Sequence, residues 1–249
     1  ANSLLAAKDD DIQYFVPPAP AIVSEWEEVG TGPSWVASTG NEPTSSYYIT
    51  TVTGDQRVKR ALTFNAGDGT QHMTVDLGAE YRACSIFVVA NVNNVKQSIN
   101  NIVDAGKPNP SDSVLNRASI ATYADKLVVG TQLTNDMMVA NKKIVVPQEY
   151  NARWDGKKPV VFYSVFANVA SKAGYYVPGR MMQNSAELPS DSFRYLTLGR
   201  RFNINSHDTN AEMTVYGVVI VPDYVTRSGI LEICTNLAAK YRLEEEWNV

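Results

Sequence analysis

What most constrains this chain is a recurring two-residue period: short runs alternate apolar and polar positions, turn residues separate them, and helical spacing is nearly absent until the end. Met73, Val75 and Leu77 alternate with His72, Thr74 and Asp76, and Leu196 and Leu198 alternate with Tyr195 and Thr197. Successive side chains of a strand point to opposite faces, so each run predicts one buried and one wet face. Three other runs, Ser85 to Ala90, Val160 to Phe166 and Val215 to Val221, are apolar at odd and even positions alike. They predict central strands covered on both sides. Gly67-Asp68-Gly69, residues 106–110, Asp155-Gly156 and residues 203–210 supply the turn conformations between them. Many strands with almost no intervening helix predict an all-β sandwich or barrel. Only the last segment departs: Ile230, Ile233, Cys234, Leu237 and Tyr241 recur at helical spacing, which predicts one C-terminal α-helix from about Thr226 to Leu243. The acidic end Glu244-Glu245-Glu246 reads as solvation.

A core large enough for one such domain is affordable. Of 249 residues, 44% are hydrophobic and only 19% charged, so residues 21–249 are expected to form a single sandwich. Twenty-two basic and 26 acidic residues leave a net charge of -4 with no basic run, which argues against nucleic-acid binding. Arg194, Arg200 and Arg201 read as a solvated strand face. Cys84 lies in a β-rich run and Cys234 in the helical segment, so both are expected to be buried, unpaired thiols. Ala1-Asn2-Ser3-Leu4-Leu5 lacks a cationic start and an apolar stretch, and no window approaches the roughly 18 apolar residues of a membrane span. The expectation is a chain made in the cytoplasm without a cleavable signal and without membrane insertion. Residues 1–20 read as an extended arm stiffened by Pro17, Pro18 and Pro20. Leu4, Leu5, Tyr14 and Phe15 are its candidate anchors in an assembly; a disordered terminus is the alternative.

Three segments in order carry a family resemblance. Val23-Ser24-Glu25-Trp26 leads through Gly30 and Gly32 to Ala37-Ser38-Thr39 and Glu42-Pro43-Thr44; Arg60-Ala61-Leu62-Thr63-Phe64-Asn65 is followed by Gly67-Asp68-Gly69, Val75 to Gly78 and Ile86 to Ala90. Tyr195-Leu196-Thr197-Leu198-Gly199-Arg200 precedes Val215 to Val221 and the helix ending Leu237-Ala238-Ala239-Lys240-Tyr241-Arg242-Leu243. Over about residues 23–243, with residues 92–193 matching weakly, the chain resembles the concanavalin A-like lectin/glucanase (LamG-like) domains found in bacteriophage virion proteins. The resemblance implies a concanavalin A-like jelly-roll β-sandwich and a non-catalytic role in a virion, as a capsid decoration, head appendage or tail-fibre module. Its implied partners are other virion proteins or copies of itself, with a host glycan as a further ligand and no cofactor. The chain departs from the family where an aspartate after the Trp motif is Glu28 or absent, where Phe-Asp-Gly is Phe64-Asn65-Ala66, and where the glycine before the final leucine is Arg242. Without an aspartate at 65, Asp68 reads as a turn residue and no metal site is expected.

Catalytic relatives of such sandwiches are glycoside hydrolases that place two or three carboxylates at alternate positions of one strand, because retaining hydrolysis needs an acid and a nucleophile about 5 Å apart. No E-x-D-x-x-E strand occurs, and Glu25, Glu27 and Glu28 read as a solvated edge. His72 and His207 have no metal-ligand spacing or G-x-S-x-G elbow around them, and neither G-x-G-x-x-G nor G-x-x-x-x-G-K occurs. No catalytic residue is therefore assigned. Surface recognition remains: Asn203, Asn205, His207 and Asp208, with Tyr175, Tyr176 and Arg180, are candidate ligand-binding residues and equally ordinary polar loop residues. A lectin-like adhesin for a cell-surface glycan is the alternative to virion assembly, and a glycoside hydrolase the third reading.

Overall fold

The fold is taken from a computed structural model. It describes residues 22, 25–26, 33–37, 40–52, 55–65, 71–92, 100–106, 119–123, 126–130, 143–147, 158–167, 171–186, 192–200 and 211–247. The arm residues Leu4, Leu5, Tyr14 and Phe15, and the loop residues Asn203, Asn205, His207 and Asp208, lie outside the described residues.

The described residues form two antiparallel sheets. One has eight strands in the order β1 (Glu25–Trp26), β2 (Trp35–Val36), β5 (Met73–Tyr81), β14 (Phe193–Leu198), β7 (Asn100–Gly106), β8 (Ser119–Tyr123), β9 (Lys126–Gly130) and β10 (Lys143–Pro147). The other has seven: β13 (Arg180–Ala186), β12 (Ser171–Val177), β11 (Val160–Phe166), β6 (Cys84–Val92), β15 (Met213–Val221), β4 (Asp55–Phe64) and β3 (Thr44–Val52). The β-sandwich expected from the two-residue period is present. At one side β10 lies against β12 and β13, bringing the two sheets together. At the other, Ile22 bridges to Thr44 of β3 just before the chain enters β1 of the facing sheet.

The three runs apolar at odd and even positions alike are in β6, β11 and β15, side by side in the middle of the seven-stranded sheet. They have two buried faces because this sheet is covered twice. Even-numbered Ile86, Val88, Ala90, Val160 and Phe162 point into the core between the sheets, with Met73, Val75, Leu196, Leu198 and Ile120 opposite. Odd-numbered Phe87, Val89, Val161, Tyr163 and Val165 form a second apolar layer with the C-terminal helix. That helix, α1 (Arg227–Tyr241), starts at the Thr226 cap, whose hydroxyl accepts from the Gly229 amide, and buries Ile230, Cys234, Leu237 and Ala238. Ser85 fixes its approach: its hydroxyl donates to the Asp223 carbonyl at 2.8 Å and accepts from the Val225 amide at 3.0 Å.

The helix does not continue to Leu243 as one element. Arg242 takes a left-handed conformation (φ 54°, ψ 45°), its amide donates to the Ala238 and Ala239 carbonyls, and a short α2 (Leu243–Trp247) follows. Arg242 stands where the resembled family has glycine, the residue that adopts this conformation without steric cost. Glu244, Glu245 and Glu246 therefore lie in the first turn of α2, where carboxylates meet the positive end of the helix, with Glu245 exposed. Trp247 pins α2 to the sheet, its indole N–H donating to the Pro159 carbonyl at 2.9 Å.

Both cysteines are buried and unpaired, Cys84 between the sheets and Cys234 under the helix. Burial pushes each thiol up to about 12, so neither presents a thiolate at neutral pH.

Candidate functional site

Of the seven candidate ligand-binding residues, three are described, and they do not converge. Tyr175 is 0% exposed, its ring in the core between the sheets. Tyr176, on the opposite face of the same strand, is buried against the layer under α1. Both readings as surface groups are corrected: β12 is covered on both faces, so successive tyrosines both enter apolar layers. Arg180 is exposed at the start of the edge strand β13, after the Pro178-Gly179 turn. The three residues form no common surface.

The outer face of the eight-stranded sheet is different. Its ladders align Val36 of β2 with Thr74 of β5, Thr74 with Thr197 of β14, Thr197 with Asp104 of β7, and Asp104 with Ser119 of β8. This row begins open and ends covered: Val36 is 53% exposed, Thr74 is half-buried, and Thr197 and Asp104 are each 1% exposed. Thr197, expected on a wet face, is instead covered, and its hydroxyl lies 3.1 Å from that of Thr74. His72, also expected to be wet, is buried. The step from open to covered surface falls between β5 and β14 and forms a rim there.

Two residues further along these strands the surface stays open. Asp76 and Tyr195 are cross-strand partners, and the carboxylate of Asp76 receives Arg194 Nε at 2.7 Å and Nη2 at 2.8 Å. The two side chains keep 37% (Arg194) and 42% (Asp76) of their surface exposed. Asp76 also accepts the Gly78 amide at 2.8 Å, at a place where β5 carries four residues between positions paired to Phe193 and Tyr195. Gly78 sits at φ 76° in this bulge, a conformation open to glycine. The guanidinium carbon of Arg194 lies 5.6 Å from the centre of the half-buried Tyr195 ring, within cation–π range. Ser192 donates to Glu80 at 2.8 Å beside them. An aromatic ring, a fixed guanidinium–carboxylate fork and neighbouring hydroxyls thus share one open patch at the rim.

The Arg194 hydrogen bonds, with the Gly78 amide next, hold the Asp76 carboxyl down at about 2. Its folded value lies below the ordinary value near ~4, so Asp76 favours the folded state above that range, and its contribution is lost as pH falls from about 4 to about 2. Asp76→Asn should flatten the acid limb of the stability curve in that window. Chemical unfolding at several pH values across it checks this; identical acid limbs in the two proteins would count against the fork.

Sequence reading placed Asp76, Arg194 and Tyr195 on wet strand positions but did not join them. The alternation about Leu196 was the available signal; the pairing of β5 with β14 was not local enough to see. Among the described residues no group of three or more His, Cys, Asp or Glu is placed to hold a metal ion. None of the helices among them is long and apolar enough to cross a membrane.

No protein-family model and no curated protein sequence matches the chain. Solved structures do. The binding domain of botulinum neurotoxin serotype D/C aligns with 86% of this chain and 52% of its own, at 12% identity and TM-score 0.51. An arabinofuranosidase complexed with arabinofuranosyl-α-1,2-xylobiose aligns with 88% of this chain and 51% of its own, at 11% identity and TM-score 0.60. These likenesses establish a shared β-sandwich fold. Trypanosoma rangeli sialidase, in complex with sialic acid, aligns with 88% of this chain and 32% of its own, at 16% identity and TM-score 0.53. The chain spans about half of the first two proteins and a third of the last.

Proposed function

We propose that this chain is a non-catalytic, lectin-like saccharide-binding β-sandwich that uses the rim patch of Asp76, Arg194 and Tyr195. The observation that carries the reading is the Arg194 guanidinium 5.6 Å from the centre of the half-buried Tyr195 ring, beside a carboxylate held in a bidentate fork. Sugars present an apolar C–H face and a ring of hydroxyls. Aromatic and guanidinium planes suit the first, and oriented carboxylates and amides the second. The structural neighbours support this choice: one is an arabinofuranosidase bound to an oligosaccharide, and one a sialidase bound to sialic acid. Botulinum neurotoxin type C, whose structure is also similar, depends on two ganglioside molecules for cell entry.

The patch favours binding over hydrolysis. Asp76 is committed to Arg194 and stays ionised, so it is a poor proton donor for a leaving group. Along the ladders Asp104 lies two strands and two residues from Asp76, which puts their backbones ~12 Å apart. A virion setting, in which residues 1–20 anchor the domain and the patch meets a host glycan, remains a proposal resting on the sequence resemblance.

Tyr195→Ala should abolish saccharide binding, a loss of at least about tenfold in affinity for a stacking aromatic of this kind. Glycan-array screening followed by calorimetry measures it, and chemical-shift changes on sugar addition should map to β5 and β14. Binding that survives in Tyr195→Ala, or shifts that map to another face, would sink the assignment of this site.

A further inference from the structure

Resting on that reading of the same site, we infer that the saccharide bound at Tyr195 is neutral, not sialylated, uronic or sulfated. An acidic sugar is best held by a guanidinium presenting its paired N–H groups to the incoming oxyanion. The side-on fork of Arg194 is already taken, which leaves only its Nη1 edge for a ligand. Its Nε and Nη2 already donate to Asp76 Oδ1 and Oδ2, the parallel arrangement that a ligand carboxylate would need.

The surrounding charge points the same way. Glu80 is within electrostatic range of Arg194, and its Oε2 is held by Ser192. The described residues around Tyr195 thus set one cation, Arg194, against two carboxylates, Asp76 and Glu80. An anionic ligand on the remaining edge of Arg194 would sit beside both carboxylates. The hydroxyls of a neutral sugar, by contrast, can donate to the Glu80 carboxylate while its C–H face lies on the ring of Tyr195. A chain charge of -4 supplies no long-range attraction for an acidic glycan either.

The test uses the full chain on matched probes: lactose, N-acetyllactosamine and xylobiose against 3′-sialyllactose, 6′-sialyllactose, glucuronic acid-capped lactose and sulfated lactose. Tyr195→Ala serves as the control for binding at this site. The expected result is a Tyr195-dependent signal at least about tenfold stronger on a neutral probe than on any acidic one. Asp76→Asn, which frees the fork and removes a negative charge, should narrow that ratio. A Tyr195-dependent signal as strong on acidic as on neutral probes overturns the inference and leaves the saccharide site standing. No Tyr195-dependent signal on either class, with the unfolding transition of Tyr195→Ala intact, removes the saccharide site and the inference together.

Discussion

Leu237→Ala should lower the stability of this protein by about 2–5 kcal/mol, the range for deleting a buried leucine side chain down to its β-carbon. Leu237 is 6% exposed and lies in the layer where α1 meets Phe87, Val89, Val161 and Tyr163 of the central strands. An isolated helix of this length gains most of its stability from such a face, so the loss should reach the whole domain. For a chain of this size the midpoint of thermal unfolding should fall by roughly 4–20 °C. The exposed neighbour Leu231 supplies the control, since its truncation removes little buried surface. Equal midpoints for Leu237→Ala and the parent protein would mean that the helix is not docked as described.

Gly174→Ala should be at least as damaging for its size, adding one methyl group and costing about 3 kcal/mol or more by overpacking. A β-carbon at position 174 would fall inside contact distance of the Met182 carbonyl oxygen and the Tyr163 hydroxyl, and 2.6 Å from Tyr163 Cζ. Met182 belongs to the paired strand β13, so the clash is with backbone that cannot rotate away. Tyr163 is wedged against Phe87, ring centres 6.1 Å apart, and its hydroxyl reaches Met182 and Gln183. Strand β13 should then separate from β12, which protease sensitivity at residues 178–186 and a lowered unfolding midpoint would report. Full stability in this variant would place the Tyr163 ring elsewhere.

The two variants bear on what could be read from the sequence. The helix and the three central strands were legible because their side chains sort by local period: Ile230, Cys234 and Leu237 at helical spacing, Ile86 to Ala90 apolar on every position. Tyr175 and Tyr176 were misread because tyrosine is at home in both settings, and Ser171-Lys172-Ala173-Gly174 before them looks like a polar loop. Ala173 and Val177, two positions either side of Tyr175, held the clue, since all three enter the same core. Covered polar positions such as Thr197 could not be told from wet ones, because what covers a sheet face is tertiary. The candidate site was visible only as single residues. Asp76 and Arg194 are 118 positions apart, and no local pattern pairs β5 with β14.

That separation has a consequence while the chain is being made. At a synthesis rate of about 5–20 residues per second, roughly 6–24 s pass between the emergence of Asp76 and that of Arg194. Throughout that interval β5 lacks β14, the neighbour that closes its ladder, and an open strand edge is a template for pairing with another nascent chain. Asp76 and Glu80, together with the glycine bulge at 78, then guard the waiting edge: charge repels a second copy, and the irregular backbone spoils its register. The carboxylates of the open patch on β5 would thus also keep a half-built precursor apart from others.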